Sequence, residues 1–493
     1  MKRLFVRLIV TGLMAVAWAW AGSAAPARPL LYERSMVVLD VTRKQFDFLQ
    51  PWSSRTEKTV KAGVVIGPRQ ILTTADGLED FTLIRIQKGG RGSWWNGQIQ
   101  WIDYHANLAV LTAADPRLWL GLQPLALADA VPTKGPVQIV RWRDGYLESR
   151  QGEINRLTVK RGHLTFIDLL QMEVNSEIAN VGWGEGLISG RRLVGLICTQ
   201  DGNNCTAIPA SFIRSVLEAR KKTPCRSLGF FDFIWQKVEN PATLAFLKLP
   251  GEPRGVLVVG YLSQPKSDNV LKPRDILLQI DGFDIDTEGD YNDPAYGKLS
   301  IENLATRQKW AGDIVRLKIW RDGKPAEVSY VLPTAEYAVE LVPAETFDQD
   351  PEYMILGGLL FQPLTEPYLR SWGADWRRKA PFLLAYRTQE KPTPERHALI
   401  CLSQVLPDPF NLGYQDYRFL TVDKVNGQPI SYLTDLAAAL QKPLDGFHII
   451  EFRPEESPRR LILDARETEA ATQRVLQRYG IARDRVAAPA VKP

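Results

Sequence analysis

From about residue 30 to 215 the chain is written in short apolar runs, broken at regular intervals. MVVLDVT, KAGVVIG, QILTTA, FTLIRIQ, NGQIQWID, NLAVLTA, GPVQIVRW, HLTFIDLL, LVGLICT and CTAIPA are each brief and rich in β-branched residues, with Gly, Pro, Asp or Asn between them. Many short strands at such spacing predict an all-β barrel or sandwich. At SFIRSVLEARKK the periodicity turns helical and ends in a basic turn before Pro224, a helix-stop arrangement.

Two further units follow. In residues 225–335, GVLVVGYL, DILLQIDG, DIVRLKIWRDG and EVSYVLP read as strands, SIENLATRQKW as a helix and PATLAFLKLP as a weaker one. Residues 336–349 are irregular and acidic and read as a linker. Residues 350–480 have a similar cadence: FLTVDKVNGQPI echoes PRDILLQIDGFDI, and LTDLAAALQK supplies the next helix. Residues 481–493 end in AAPAVKP and read as a disordered tail. A length of 493 residues accommodates three such domains.

The N-terminus reads as a signal peptide, residues 1–25. MKRLFVR is a positive n-region, LIVTGLMAVAWAWA an apolar stretch, and AGSAAPA offers small residues for cleavage after Ala24 or Ala25. The apolar run is shorter than the roughly 20 residues a spanning helix needs. An exported, periplasmic or secreted protein fits. Lys2, Arg3 and Arg7 lie in that segment, so its removal leaves +2 of the net +5. Such a balance excludes the basic footprint of a nucleic-acid binder, and the 14 tryptophans form no aromatic ladder.

Cysteines and histidines are few. No CxxC occurs, and Cys401 with nearby His397 supplies too few ligands for zinc, so no metal site and no cofactor is expected. Cys198 and Cys205 flank TQDGNN, whose Asp201-Gly202 pair is a hairpin turn. Facing hairpin residues lie within disulfide reach, and an oxidising compartment permits a Cys198–Cys205 bridge. Cys225 and Cys401 stay open.

Long, idiosyncratic strings carry a resemblance. WQKVENPATLAFLKLP, VLKPRDILLQIDG and RQKWAGDIVRLKIWRDGK resemble the first PDZ domain of HtrA/Deg (protease Do-like) proteins, in the branch of plant organellar Deg proteases and their bacterial relatives. GGLLFQPLTEPYLR and LSQVLPDPFNLGYQDY are similar to that branch's divergent second PDZ-like domain. The resemblance implies a mainly β fold: a trypsin-like double β-barrel over residues 30–222, then two PDZ-like α+β domains over 225–335 and 350–480.

The resemblance also exposes a loss. ILTTADGL stands where the family writes Leu-Thr-Asn-Ala-His-Val, NLAVL where it writes Asp-Leu-Ala-Leu-Leu, and NVGWGEGL where it writes Gly-Asn-Ser-Gly-Gly-Pro-Leu. The triad positions are thus Asp76, Asn107 and Trp183, or Gly182 if the last alignment slips by one. A serine protease needs a hydroxyl, an imidazole that takes and returns its proton, a carboxylate that orients the imidazole, and backbone donors for the oxyanion. None of these positions supplies its group, so no catalytic residue is expected. Val181 and Glu185 replace oxyanion-loop glycines, and Glu185 brings negative charge where an oxyanion would form. His105, two residues before Asn107, reads as a surface histidine. Ser176 and Ser189 bracket the loop with no base identified near them. Asp76 and Glu185 read as two solvated loop acids rather than an acid–base pair.

What persists is binding. The family's Φ-Gly-Φ loop, which receives a peptide carboxylate, matches Leu228, Gly229 and Phe230; Leu356, Gly357 and Gly358 occupy an analogous place in the third unit. The reading is an exported pseudoprotease that binds peptides or unfolded proteins through its PDZ domain, as a scaffold, chaperone-like factor or regulator in protein quality control. The alternatives are an active serine endopeptidase with relocated residues, and a regulatory subunit co-assembling with an active relative. The resemblance further implies a homo-oligomer built on trimers, or a hetero-assembly with a related protease.

Overall fold

The computed structural model describes residues 32–222, 224–262 and 269–487. The expected signal peptide and the last six residues lie outside these. No helix among the described residues is long and apolar enough to cross a membrane.

In the first unit, strands β1 (Met36–Phe46), β2 (Ser54–Gly67), β3 (Gln70–Thr73), β4 (Phe81–Lys88), β5 (Trp95–Asn96), β6 (Gln98–Asp103) and β7 (Leu108–Thr112) form one antiparallel sheet in the order β5-β4-β1-β2-β3-β7-β6. Strands β8 (Gly135–Arg143), β9 (Tyr146–Arg161), β10 (Asp168–Ser176), β11 (Gly186–Ser189), β12 (Arg192–Asp201) and β13 (Asn204–Pro209) close into a barrel. Side chains alternate along each strand. Val37, Leu39, Val41, Ile71, Ile84, Ile86 and Leu111 therefore fill the sheet's own core. Met36, Val64, Leu72, Leu108 and Val110 meet Val140, Leu193 and Leu196 of the barrel. The loops after β3, before β7 and before β11 meet along this seam.

The second unit comprises β14 (Phe233–Lys237), β15 (Val256–Tyr261), β16 (Ile276–Ile280), β17 (Phe283–Asp284), β18 (Asp290–Asp293), β19 (Gly297–Ser300), β20 (Ile314–Arg321) and β21 (Lys324–Val331). Its main sheet runs β14-β15-β16-β20-β21, so β14 is an edge strand. The expected long helix is only Asn303–Thr306. Gln308 adopts a left-handed φ of 58°, which a continuing helix cannot hold. The weaker helix forms as Pro241–Phe246, capped by the Asn240 side chain.

The third unit carries β22 (Tyr353–Leu356), β23 (Leu359–Pro363), β24 (Ile400–Val405), β25 (Leu420–Val425), β26 (Gln428–Pro429), β27 (Phe447–Phe452), β28 (Arg460–Asp464) and β29 (Arg485–Val486) in one sheet. Leu433–Leu440 is the expected helix; Thr468–Tyr479 is an unanticipated one.

Two expectations fail here. Residues 481–487 are not a loose tail: Ile481 is buried with Val475 and Leu476, and Arg485–Val486 pairs with Tyr353–Met354. Nor is 336–349 a free linker. Leu341 and Val342 enter the third unit's core, while Tyr337 and Phe347 stack on His105 and Tyr104 of the first unit.

Candidate functional site

The loop between β10 and β11 is built around its own side chains. Glu185 is 2% exposed. Its Oε2 accepts from the amides of Gly182 and Trp183, each at 2.9 Å. The amide of Val181 donates to Gln200 Oε1 at 3.0 Å, and Gln200 donates back to the carbonyl of Ile178. Three successive amides are thus satisfied from within. Arg141 lies 3.6 Å from Glu185 and also holds Glu148 and the carbonyl of Ala179. A buried carboxylate persists only with such donors and a counter-charge. Gly184 sits at a φ of 89°, where a Cβ would come within 2.8 Å of the Ala62 carbonyl, so this turn requires glycine.

A second buried charge lies opposite. Lys61, on β2 and 2% exposed, donates through Nζ to Thr74 Oγ1 at 2.8 Å and to the carbonyl of Asp76. It lies 5.3 Å from the centre of the Trp183 ring, a cation–π distance. Burial drives its pKa down to about 8, against the pull of nearby Asp76 and Glu185. The indole therefore does not face an empty nucleophile site; it covers an ammonium.

Asp76 and Asn107 remain neighbours. Asn107 Oδ1 accepts from the Asp76 amide at 2.9 Å, while its buried Nδ2 has no partner among the described residues. The Asp76 carboxylate turns instead to His163, 3.3 Å away on the loop before β10. Burial would raise the Asp76 pKa, but the bond to His163 and the charges of His163, Lys61 and Arg43 hold it below its usual range. The same bond raises His163.

A second recess, of about 240 Å³, runs along the edge strand β14. Ile234 and Trp235 of β14, Ala305 and Thr306 of the short helix, and Gly229 and Phe230 at its mouth line it. Arg161 and Asp168 of the barrel complete one wall. Trp235 Nε1 donates to Glu302 across the groove at 2.9 Å. An unpaired edge beside a helix is the geometry for adding a peptide as an extra strand.

A PDZ domain family model matches residues 342–487. Putative protease Do-like 3, mitochondrial, of Arabidopsis thaliana is 27% identical over 398 residues, spanning 78% of this chain and 68% of that protein. Protease Do-like 2, chloroplastic, of the same plant is 26% identical over 460 residues, spanning 90% and 73%. This chain is a Deg/HtrA homologue. The solved HtrA-type protease AlgW with decapeptide aligns at 16% identity over 62% of this chain and 98% of that one, with a TM-score of 0.46.

In this Deg/HtrA homologue Asp76, Asn107 and Trp183, the positions expected to match a triad, lie together around Lys61, and their side chains are a carboxylate, an amide and an indole. The expected solvated acids are not both solvated, since Glu185 is buried and accepts from the Gly182 and Trp183 amides beside Arg141. His105 is not a surface histidine: its ring stacks on Tyr337 at 4.1 Å and its Nδ1 meets Thr165 at 2.7 Å. Ser176 is buried, its hydroxyl accepting from the Ile178 amide. Ser189 ends β11 at the hairpin with Arg192.

The expected Cys198–Cys205 bridge is absent. The two-residue turn falls at Gly202-Asn203 rather than Asp201-Gly202, which sets Cys205 opposite Gln200, and the two thiols join different core clusters. Burial pushes them up to about 12 and about 11. Leu228 and Phe230 are buried, and Gly229 bridges to Thr334. The Leu356-Gly357-Gly358 loop is filled: the Gly357 amide donates to Thr472, and its Cβ position is taken by Phe410.

Lys61, Arg141, His163 and Gln200 were not singled out from sequence. Lys61 left a signal, a lone ammonium opening the apolar run KAGVVIG; Gln200 left none.

Proposed function

We propose that the chain is a pseudoprotease of the Deg/HtrA family that acts by holding polypeptide in the groove beside β14. One observation carries this reading. The amides that would steady an oxyanion already end on Glu185 and Gln200, beside a position where Trp183 offers no nucleophile. A hydrolase needs those donors aimed at developing charge. The edge strand and Leu228-Gly229-Phe230 supply the binding half. The proposal keeps units at 30–222 and 225–335 with a third over 342–487, trimer-based self-assembly or assembly with a related protease, and export after cleavage in the Ala25–Arg28 region, although the plant relatives carry mitochondrial and chloroplastic names.

The decisive experiment is casein hydrolysis and fluorophosphonate labelling of the purified chain, with capture from a C-terminal peptide library. No cleavage, no label and captured peptides are expected. Cleavage abolished by mutating a single serine overturns the reading. Failure to capture any peptide overturns its binding half.

A further inference from the structure

Residues 336–350 lie across the loops that carry the triad positions. Tyr337 stacks on His105 at 4.1 Å and 10°, and its hydroxyl donates to the Leu164 carbonyl at 2.6 Å. Phe347 stacks on Tyr104 at 4.1 Å. The Asp348 carboxylate accepts from the Tyr104 hydroxyl at 2.7 Å and the Asp80 amide at 2.9 Å. Asp350 pairs with Lys44 at 3.0 Å. Tyr104 and His105 lead into Asn107, Asp80 follows Asp76, and Leu164 follows His163. Between these anchors Glu345 is held at 2.6 Å by Arg370 of the third unit.

Leu341 and Val342 are sunk into the third unit. The segment thus grips the third unit in its middle and the first unit at both ends. A connector serving only for length would be solvated and free to move. Stacked aromatics and a doubly bonded carboxylate make a closed state with a definite opening cost.

We propose that residues 336–350 are a strap that closes the degenerate cleft in cis, an autoinhibitory cover that keeps polypeptide out of the barrel and leaves the β14 groove as the available site. Opening requires release of Phe347 and Asp348 from Tyr104 and Asp80, whether or not the cleft retains chemistry. The inference is therefore independent of the pseudoprotease reading.

The test is hydrogen exchange, followed by mass spectrometry, on the full chain. Wild type is compared with Phe347→Ala/Asp348→Ala and with Tyr104→Phe, which keeps the ring and removes only the hydroxyl. The double variant should exchange about tenfold faster over 76–82, 103–107 and 336–350, as expected for a lost local closure, with β12 unchanged. Tyr104→Phe should raise the same segments less. Unchanged exchange over 76–82 and 103–107 in the double variant overturns the strap, as does full exposure of 336–350 in wild type. If the double variant loosens β12 as well, Tyr104→Phe decides: a rise confined to these segments supports the strap, and no rise overturns it.

Discussion

The cleft of the first unit and the groove of the second are both places where backbone could meet a ligand. They differ in what that backbone already meets. In the cleft, the amides of Val181, Gly182 and Trp183 end on Gln200 and Glu185, and the far wall is Lys61 under an indole. In the groove, β14 is paired on one side only. A donor satisfied inside the fold gains little by exchanging partners, whereas an unpaired strand edge gains a ladder of bonds. The comparison teaches that a binding surface is recognised by which polar groups the fold leaves unmatched, and ancestry alone does not reveal that.

The largest effect that could break the comparison is catalytic. In a working triad, losing the nucleophile or base costs about 10⁶ in turnover. Asp76→His, Asn107→Asp and Trp183→Ser together would supply an imidazole, a carboxylate and a hydroxyl there. They would leave Glu185 on the amides and would remove the indole that covers Lys61. We expect no casein cleavage above a trace-protease control. Activity in this triple variant would show that the Glu185 plug yields to substrate, and that the cleft is closer to function than its hydrogen bonds imply.

Stability comes next. Glu185→Ala orphans the Gly182 and Trp183 amides and takes a counter-charge from both Arg141 and Lys61. Breaking a buried pair by removing one partner costs about 3–5 kcal/mol. Chemical denaturation should show a loss of that size. A loss under about 1 kcal/mol, the scale of a surface ion pair, would mean that the carboxylate does not hold the loop.

The groove should respond more modestly. Ile234→Asp places a charge on its half-buried wall, and full burial of such a side chain is worth about 1.5–3 kcal/mol. Capture of hydrophobic C-terminal peptides should weaken about tenfold, read by fluorescence anisotropy. Gly229 gives a less clean test, because its Cβ position is 3.0 Å from the Ala311 amide nitrogen and from Leu332 Cβ. A bulky residue there disturbs the fold as well as the mouth of the groove. Unaltered capture by Ile234→Asp would place the peptide elsewhere.

The legibility of these features follows their range. Strands were readable because periodicity and turn residues are local: NLAVL and LVGLICT fold as β7 and part of β12. The family's strings pointed to Asp76, Asn107 and Trp183, which the fold brings together around Lys61. What the sequence did not reveal is whatever depends on register or on distant partners. Cys198 and Cys205 flank a proper hairpin, yet its turn falls at Gly202-Asn203, one residue later than expected, and leaves Cys205 facing Gln200. Glu185 was visible as a charge replacing glycine, but that it would be buried on its own loop's amides required Arg141, 44 residues earlier, and Lys61 on another strand. The acidic composition of 336–349 suggested solvent, while its aromatic and aliphatic residues decide where it lies.

The smallest expected effect concerns pH and the strap. Asp80 is raised to about 6 by burial and by Asp348, with Asp350 also raising it and Arg43 opposing. His105, stacked under Tyr337, is lowered by burial, with Asp103 opposing. A group whose pKa is raised in the closed state binds its proton more tightly there, and one whose pKa is lowered binds it less tightly. If the open state has ordinary values, Asp80 weakens closure as pH climbs from about 4 to 6, whereas His105 strengthens it as pH climbs toward about 6.5. His163 is raised chiefly by Asp76, a bond within the first unit that opening the strap does not break. The two groups at the strap therefore oppose each other, and removing the titration of Asp80 should leave His105 acting alone. Each tenfold difference in proton affinity between closed and open states changes their balance by about tenfold at most; both groups are partly exposed, so screening should leave a few-fold change. Hydrogen exchange over 103–107, corrected for intrinsic rates, should fall more steeply with pH between about 5 and 6.5 in Asp80→Asn than in wild type. Identical pH profiles in the two proteins would mean that Asp80 does not bear on closure.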